Sequence, residues 1–463
     1  MHLTNKADRP VKPRGYPAWH DHFVFDGSAE LNLPEGPYRF TIERGPEYAP
    51  ITGHFQMVAH GDDVHRVRLK RIVNMAEEGW WSGDLHIHRA LDDIDVLTAA
   101  EDLHVAPVIT WWNERNPWSN KRLPDPRLLT LDDSRYVDRL AGEDERGGGA
   151  LLFLGLDEPL SIAAAEREYP SSCVYLREAK QAGAWVDVEK PFWWDVPAWL
   201  ASGEVDSIGL ANNHLLRDGM LDNEAWGKPR DPKRFPGPWG NGQWSQEIYY
   251  HLLNAGFRLP PSAGSASGVL ANPVGYNRMY VFVGDQLTYD GWWDAFRRGR
   301  VVVTNGPMLR PLVAGRLPGH VFEGAAGERL ALDLNLRLAL REGGGYLEVI
   351  KNGELERSLR LDEWARQGTL APVEFDESGW FLIRVVADTP ATYRFASTAP
   401  YYVEIGGAPP PVRRTSAKFF LDWARERAAQ LALDDPDQQA EVAREHAAAI
   451  EFWEARLDAA TAD

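Results

Sequence analysis

Cysteine is almost absent from this sequence: among 463 residues only Cys173 occurs. An intramolecular disulfide is excluded, and so is a cysteine-rich zinc site. Secreted proteins need no disulfides, so the shortage leaves the compartment open. Long apolar runs are missing too. No stretch approaches the ~18 residues of a membrane span, and none is expected. The opening Met1-His2-Leu3-Thr4-Asn5-Lys6 has no apolar core of the signal-peptide kind. The expectation is a soluble chain without a signal peptide, secreted or periplasmic only if a leader was removed. Positive charge is in short supply. Lys and Arg total 50 against 68 for Asp and Glu, a net charge of −18. With no long basic cluster either, this argues against a nucleic-acid partner. No nucleophile elbow, P-loop or Rossmann fingerprint occurs in its proper context. No repeat at a fixed period occurs either.

What remains has the proportions of a folded protein, with 44% hydrophobic and 25% charged residues. Tryptophan stands out, at 19. Four adjacent pairs occur: Trp80-Trp81, Trp111-Trp112, Trp193-Trp194 and Trp292-Trp293. Some of these rings are expected to line a cleft, where flat faces suit sugars or aromatic ligands.

Residues 1–78 read as short antiparallel strands in a small β-sandwich. The period-two runs are Ala29–Leu33, Tyr38–Ile42 and Val64–Leu69. Residues 79–306 alternate strands with helices, which implies a mostly parallel sheet in an α/β fold, open or closed into a barrel. Residues 307–410 return to strands as a second β-sandwich, with Lys351-Asn352-Gly353-Glu354 as a hairpin turn. Residues 411–463 form a helical tail, with helices near Ala417–Leu433 and after Asp435-Pro436-Asp437, expected to pack back on the protein.

Polar residues gather at successive strand ends of the central region: His86 and His88, Asn113-Glu114, Glu189-Lys190, Asn212-Asn213-His214 and Ser265. In a βα barrel those ends build the active site. His86 and His88 lie two apart on a strand, so both imidazoles share a face and can reach one ion. Asp84 is on that face as well, as a ligand, an orienting group or a catalytic acid. A second His-x-His, His20-Asp21-His22, reads as a turn or surface pair.

Gly83-Asp84-Leu85-His86-Ile87-His88 resembles the first motif of the PHP (polymerase and histidinol phosphatase) superfamily, most of all its carbaryl-hydrolase-like, CehA/McbA-type branch. The resemblance extends over Trp80 to about Pro307. It includes Ser262-Ala263-Gly264-Ser265 and the stretch from Gly299-Arg300 to Gly306-Pro307. It implies a distorted (β/α)7 barrel with up to three divalent metals that activate water against an ester, carbamate or phosphoester bond. Several family positions differ here. Thr110-Trp111-Trp112-Asn113 lacks the third motif's histidine, and Gly149-Ala150 replaces a Gly-His. Lys190-Pro191 stands for a His-Pro, and Ser265-Ala266-Ser267-Gly268 has lost an acid and a histidine. A three-metal site is therefore not expected.

One ion, zinc or manganese, is expected instead, with His86, His88 and His214 as ligands and Glu189 as the fourth. Ala141–Arg146 aligns loosely with the family's metal-binding glutamate, which leaves Glu143 and Glu145 as alternatives. Asp187 and Lys190 are the candidate catalytic groups beside Asp84. Asn113, Asn212 and Asn213 are candidate donors to substrate, and Trp111, Trp112, Trp193 and Trp194 a candidate binding rim. His104 and His251 read as structural. Gly264–Gly268 reads either as an anion-cradling loop or as a flexible turn. Two functions compete: a metal-dependent hydrolase, and a degenerate barrel that binds carbohydrate or another small molecule.

Overall fold

A computed structural model describes residues 1–162 and 165–463. It is a mixed α/β structure. The N-terminal strands His2–Asn5, Ala18–Trp19, His22–Phe23, Gly36–Ile42 and Ile51–Met57 form one five-stranded antiparallel sheet. Tyr48–Ala49 and Lys70–Arg71 form a separate two-stranded ribbon. Of the three alternating runs only Tyr38–Ile42 is a strand, paired against Ile51–Phe55. Ala29–Leu33 and Val64–Leu69 are irregular, and Val64 is 81% exposed. Alternation gives a segment two faces; without a neighbouring strand its backbone N–H and C=O groups stay with water.

Seven strands of the next sheet position the site: β1 (Trp80–Gly83), β2 (Val105–Trp112), β3 (Arg135–Arg146), β4 (Gly149–Leu154), β5 (Trp185–Val188), β6 (Ser207–Ala211) and β7 (Pro261–Ala263). Neighbours in this order are hydrogen-bonded, and only β4 runs antiparallel to its two neighbours. Beyond Gly83 the chain stays extended, and Leu85 N donates to Ala263 O at 3.0 Å and His88 N to Ser267 O at 2.8 Å. These bonds join the last strand back to the first. β4 is buried throughout, which is why Leu151-Leu152-Phe153-Leu154 is a continuous apolar run without alternation.

Helices α1 (Ile94–Glu101), α3 (Val196–Ser202) and α4 (Gly240–Asn254) connect parallel neighbours, and α2 (Ser172–Gln181) leads from β4 to its antiparallel neighbour β5. Their ends follow from local chemistry. The Ser171 side chain accepts from Cys173 N at the start of α2, and Gly203 at φ +74° stops α3. The sheet then continues past β1 through Arg278–Phe282, Val301–Thr304, Phe395–Thr398 and Gly379–Ala387. It thus crosses the boundary expected near residue 306, with Val302 paired to Thr398. Helix α5 (Tyr289–Arg297) lies between two of these strands.

The terminal helices, Arg414–Gln430 and Pro436–Asp458, pack back on α3. Trp453 Nε1 donates to Pro197 O at 2.9 Å, and Arg427 Nε to Asp195 Oδ1 at 2.7 Å. Much of the tryptophan goes into these cores: Trp111, Trp193, Trp199, Trp292, Trp380, Trp423 and Trp453 are all fully buried. Among the described residues, no helix is long and apolar enough to cross a membrane.

Candidate metal centre at the strand ends

The extension of β1 carries the first candidate ligands. Leu85 and Ile87 are fully buried in the core, so the alternating pleat turns His86 and His88 to the opposite face. Small residues opposite make room for them. A Cβ at Gly264 would collide with the Cβ of His86, and one at Gly268 with the His88 carbonyl. The Gly264–Gly268 segment is therefore a close neighbour of the His-x-His segment, and it ends in a turn at Gly268, whose φ is +105°.

His86 Nε2 lies 2.9 Å from His88 Nε2. Glu143 Oε2 completes a triangle, 3.6 Å from His86 Nε2 and 3.1 Å from His88 Nε2. Ligands ~2.0–2.1 Å from a tetrahedral ion sit about 3.3 Å apart, so the triangle has the size of one coordination face. Glu143 Oε2 is buried and accepts no hydrogen bond. A buried carboxylate oxygen with no donor is costly unless a cation takes that place. This donor set fits a divalent ion. Glu143 comes from β3, where it pairs with Trp112 at the end of β2. Period two settles the alternatives left open in the charged run. Glu143 and Glu145 share a face, and Glu143 is the one within reach of the histidines. Asp144 turns away to bond Arg146.

Glu189 takes a different position from the one expected. Its Oε1 lies 3.3 Å from His86 Nδ1, the ring nitrogen facing away from the triangle. Its Oε2 accepts from Lys190 Nζ and, at 2.9 Å, from Trp193 Nε1. Glu189 Oε1 is, like Glu143 Oε2, buried without a hydrogen-bond partner, and it stands against the His86 ring on the side away from the triangle. His214 is also outside the triangle. Its ring meets Phe192 edge-on at 5.2 Å, and its buried Nδ1 has no partner. Burial and the Lys190 ammonium push its pKa down to about 3.

The other candidates divide by what their side chains touch. Asp84 cannot serve as a catalytic acid or a ligand in this arrangement, because donors already take both its oxygens. Oδ1 accepts from His86 N and Ser265 N, each at 3.0 Å. Oδ2 accepts from Ser265 Oγ and, at 2.7 Å, from Gly275 N. Asn113 is not free for substrate. It staples the end of β3, Nδ2 to Glu145 O at 2.9 Å and Oδ1 from Glu145 N at 2.7 Å. Asn212 is likewise spent on Gly209 O, Ser245 Oγ and His214 N. Asn213 keeps a buried Oδ1 without a partner.

Trp111 stacks on Phe153 beneath the site and belongs to the core. Trp112 reaches the site, its ring 5.1 Å from His88. Trp193 holds Glu189 and lies under the Lys190 ammonium, 4.4 Å from the ring centre. Trp194 lies elsewhere, under Lys228. Sequence reasoning missed Trp226, which stacks on Trp193 at 5.2 Å and is 40% exposed. Its single, unpaired position in a loop gave no signal.

The electrostatics follow the geometry. Burial lowers the pKa of His86, but Glu143 and Glu189 outweigh it and push the value up to about 10. Burial raises that of Glu143, and the two histidines overcome this to hold it below the ordinary carboxylate range. Glu189 is brought down to about 2 against its burial, chiefly by Lys190. Asp187, under the hydroxyls of Ser207 and Ser262, is pushed up to about 7 by burial.

The second His-x-His lies at a turn, as expected: His20 and Asp21 form it, and His20 is exposed. It is not a surface pair, because His22 is buried and forms a group with His2 and Asp21. The Arg217 guanidinium lies on this group, 2.9 Å from Asp21 Oδ2 and bonded to His2 Nε2, so a cation is already there.

No family model matches the chain, and neither a curated protein nor a solved structure matches it.

Proposed function

We propose that the chain is a metal-dependent hydrolase on a PHP-like (β/α)7 barrel, with His86, His88 and Glu143 holding one divalent ion. The observation that carries this reading is the buried triangle of two imidazole nitrogens and an undonated carboxylate oxygen. Such an ion, zinc or manganese, supplies Lewis acidity and lowers the pKa of a bound water. The chain's own residues do the rest. Glu189 fixes the ring of His86 through Nδ1. Lys190 neutralises Glu189 and adds positive charge at the edge of the site, suited to a substrate oxygen that gains negative charge. Asp187, next along the same strand face as Glu189 and bonded to Ser207 and Ser262, is the proposed proton-transfer group. Trp112, its ring beside His88, offers a flat apolar wall to an ester, carbamate or phosphoester substrate.

The test is hydrolysis of a panel of aryl esters, carbamates and phosphoesters before and after chelation. Activity that falls on chelation, returns with zinc or manganese and is absent in His88→Ala is expected. Turnover that persists without metal sinks the reading. The exposed Trp226 stacked on Trp193 favours one second reading, a small-molecule or carbohydrate-binding barrel. Ligand affinity unaffected by chelation, with no turnover of any panel member, would select it.

A further inference from the structure

At the opposite end of β1 from the histidines lies a second concave site of different chemistry. Phe282 pairs with Trp80, the first residue of β1, and Phe282 N donates to Arg300 O at 2.9 Å. This places the turn after α5 at the far end of the barrel. Two segments meet there, Arg298-Gly299-Arg300 and Arg316–His320. They line a cavity of about 270 Å³.

Glycine makes the meeting close. Gly299 at φ +70° and Gly319 at φ +81° lie back to back, and a Cβ on Gly319 would collide with Arg298 O. The approach brings Arg298, Arg300, Arg316 and His320 around one cavity whose lining includes no Asp or Glu. None of the three guanidiniums has an ion-pair or hydrogen-bond partner among the described residues. Glu323, near His320, is the carboxylate whose field reaches this imidazole, and Arg316 outweighs it. Arg300 is half-buried, and Arg298 and Arg316 are exposed. Three like charges held together without a carboxylate repel one another, and a bound anion removes that repulsion. Guanidinium is also the side chain best matched to tetrahedral oxyanions, because its fork donates two parallel N–H bonds.

We infer that this cavity binds a phosphoryl-bearing anion, with Arg298, Arg300 and Arg316 donating to its oxygens. It is separate from the candidate metal centre and does not depend on the hydrolase reading. Half-buried Arg300 sits deepest in the lining, and the more exposed Arg298 and Arg316 close over the ligand from either segment.

Inorganic pyrophosphate tests the site on the full chain, with sodium chloride at equal ionic strength as the control. Pyrophosphate is expected to raise Tm above the chloride control, and calorimetry to count about one site per chain. The triple variant Arg298→Gln/Arg300→Gln/Arg316→Gln should bind at least about tenfold more weakly. Its Tm in chloride should be unchanged or higher, which separates lost binding from lost folding. Arg300→Lys keeps the charge without the fork and should bind with intermediate affinity. His86→Ala should bind like the wild type. No response in the wild type, an undiminished response in the triple variant, or loss of binding in His86→Ala would each overturn the inference.

Discussion

Glu189 Oε1 lies 3.3 Å from His86 Nδ1, on the side of the ring opposite His88 and Glu143. The imidazole is held between two carboxylates, one on each nitrogen. Glu189 lies against Nδ1, and Nε2 faces the triangle. Glu189→Gln should keep the fold but remove the anionic group beside Nδ1. Metal affinity is expected to fall about 10- to 100-fold, by competition with a chromogenic chelator. An unchanged affinity would remove Glu189 from the account.

Asp84 makes a different prediction, about stability. Its carboxylate accepts from three backbone N–H groups and the Ser265 hydroxyl. Asp84→Ala leaves these buried donors without an acceptor and should cost more than about 3 kcal/mol in urea denaturation. Asp84→Asn, which keeps one carbonyl oxygen, should lie between the two. Equal stability of all three proteins would mean that this residue does not pin the β1 extension.

His104 gives the protein a sensitivity to acid. Its Nδ1 bonds Ser82 Oγ at 2.8 Å, and Trp81 packs edge-on against the ring. Burial pulls its pKa down to about 4, below the ordinary histidine value. Between those values the unfolded chain binds the extra proton and the folded chain does not, so stability falls as pH falls through that window. From neutral pH to about pH 5 this one group should remove about 2 kcal/mol. The check is Tm across that range for the wild type and His104→Gln. The variant should lose less stability on acidification, whatever its stability at neutral pH.

The fold was legible wherever a pattern had one physical solution. The continuous apolar run of β4 could only be buried, and Asp435-Pro436-Asp437 could only start a helix. Alternation was ambiguous. Tyr38–Ile42 and Val64–Leu69 have the same pattern, but only the first found a partner strand. The site behaved in the same way. His86 and His88 were visible because they share a strand face and follow Asp84. Glu143 was hidden in Glu143-Asp144-Glu145, where only the β2–β3 register identifies the residue that faces the histidines. Asn113 and Asn212 looked like substrate donors because loop asparagines and site asparagines read alike in sequence. Hydrogen bonds to backbone groups set them apart, across to Glu145 for Asn113 and to nearby Gly209 and His214 for Asn212. Trp111 and Trp193 belong to adjacent pairs whose members go to different places, and a doublet does not say which ring faces the core.

The central claim is that His86, His88 and Glu143 hold one ion, and metal content tests it most directly. Purified protein incubated with zinc or manganese and then desalted would be analysed by mass spectrometry beside His88→Ala and Glu143→Ala. The account predicts about one ion per wild-type chain and a clear loss in both variants, with Asn113→Ala as a control that keeps its metal. No bound ion in the wild type, or full occupancy in both variants, would contradict it.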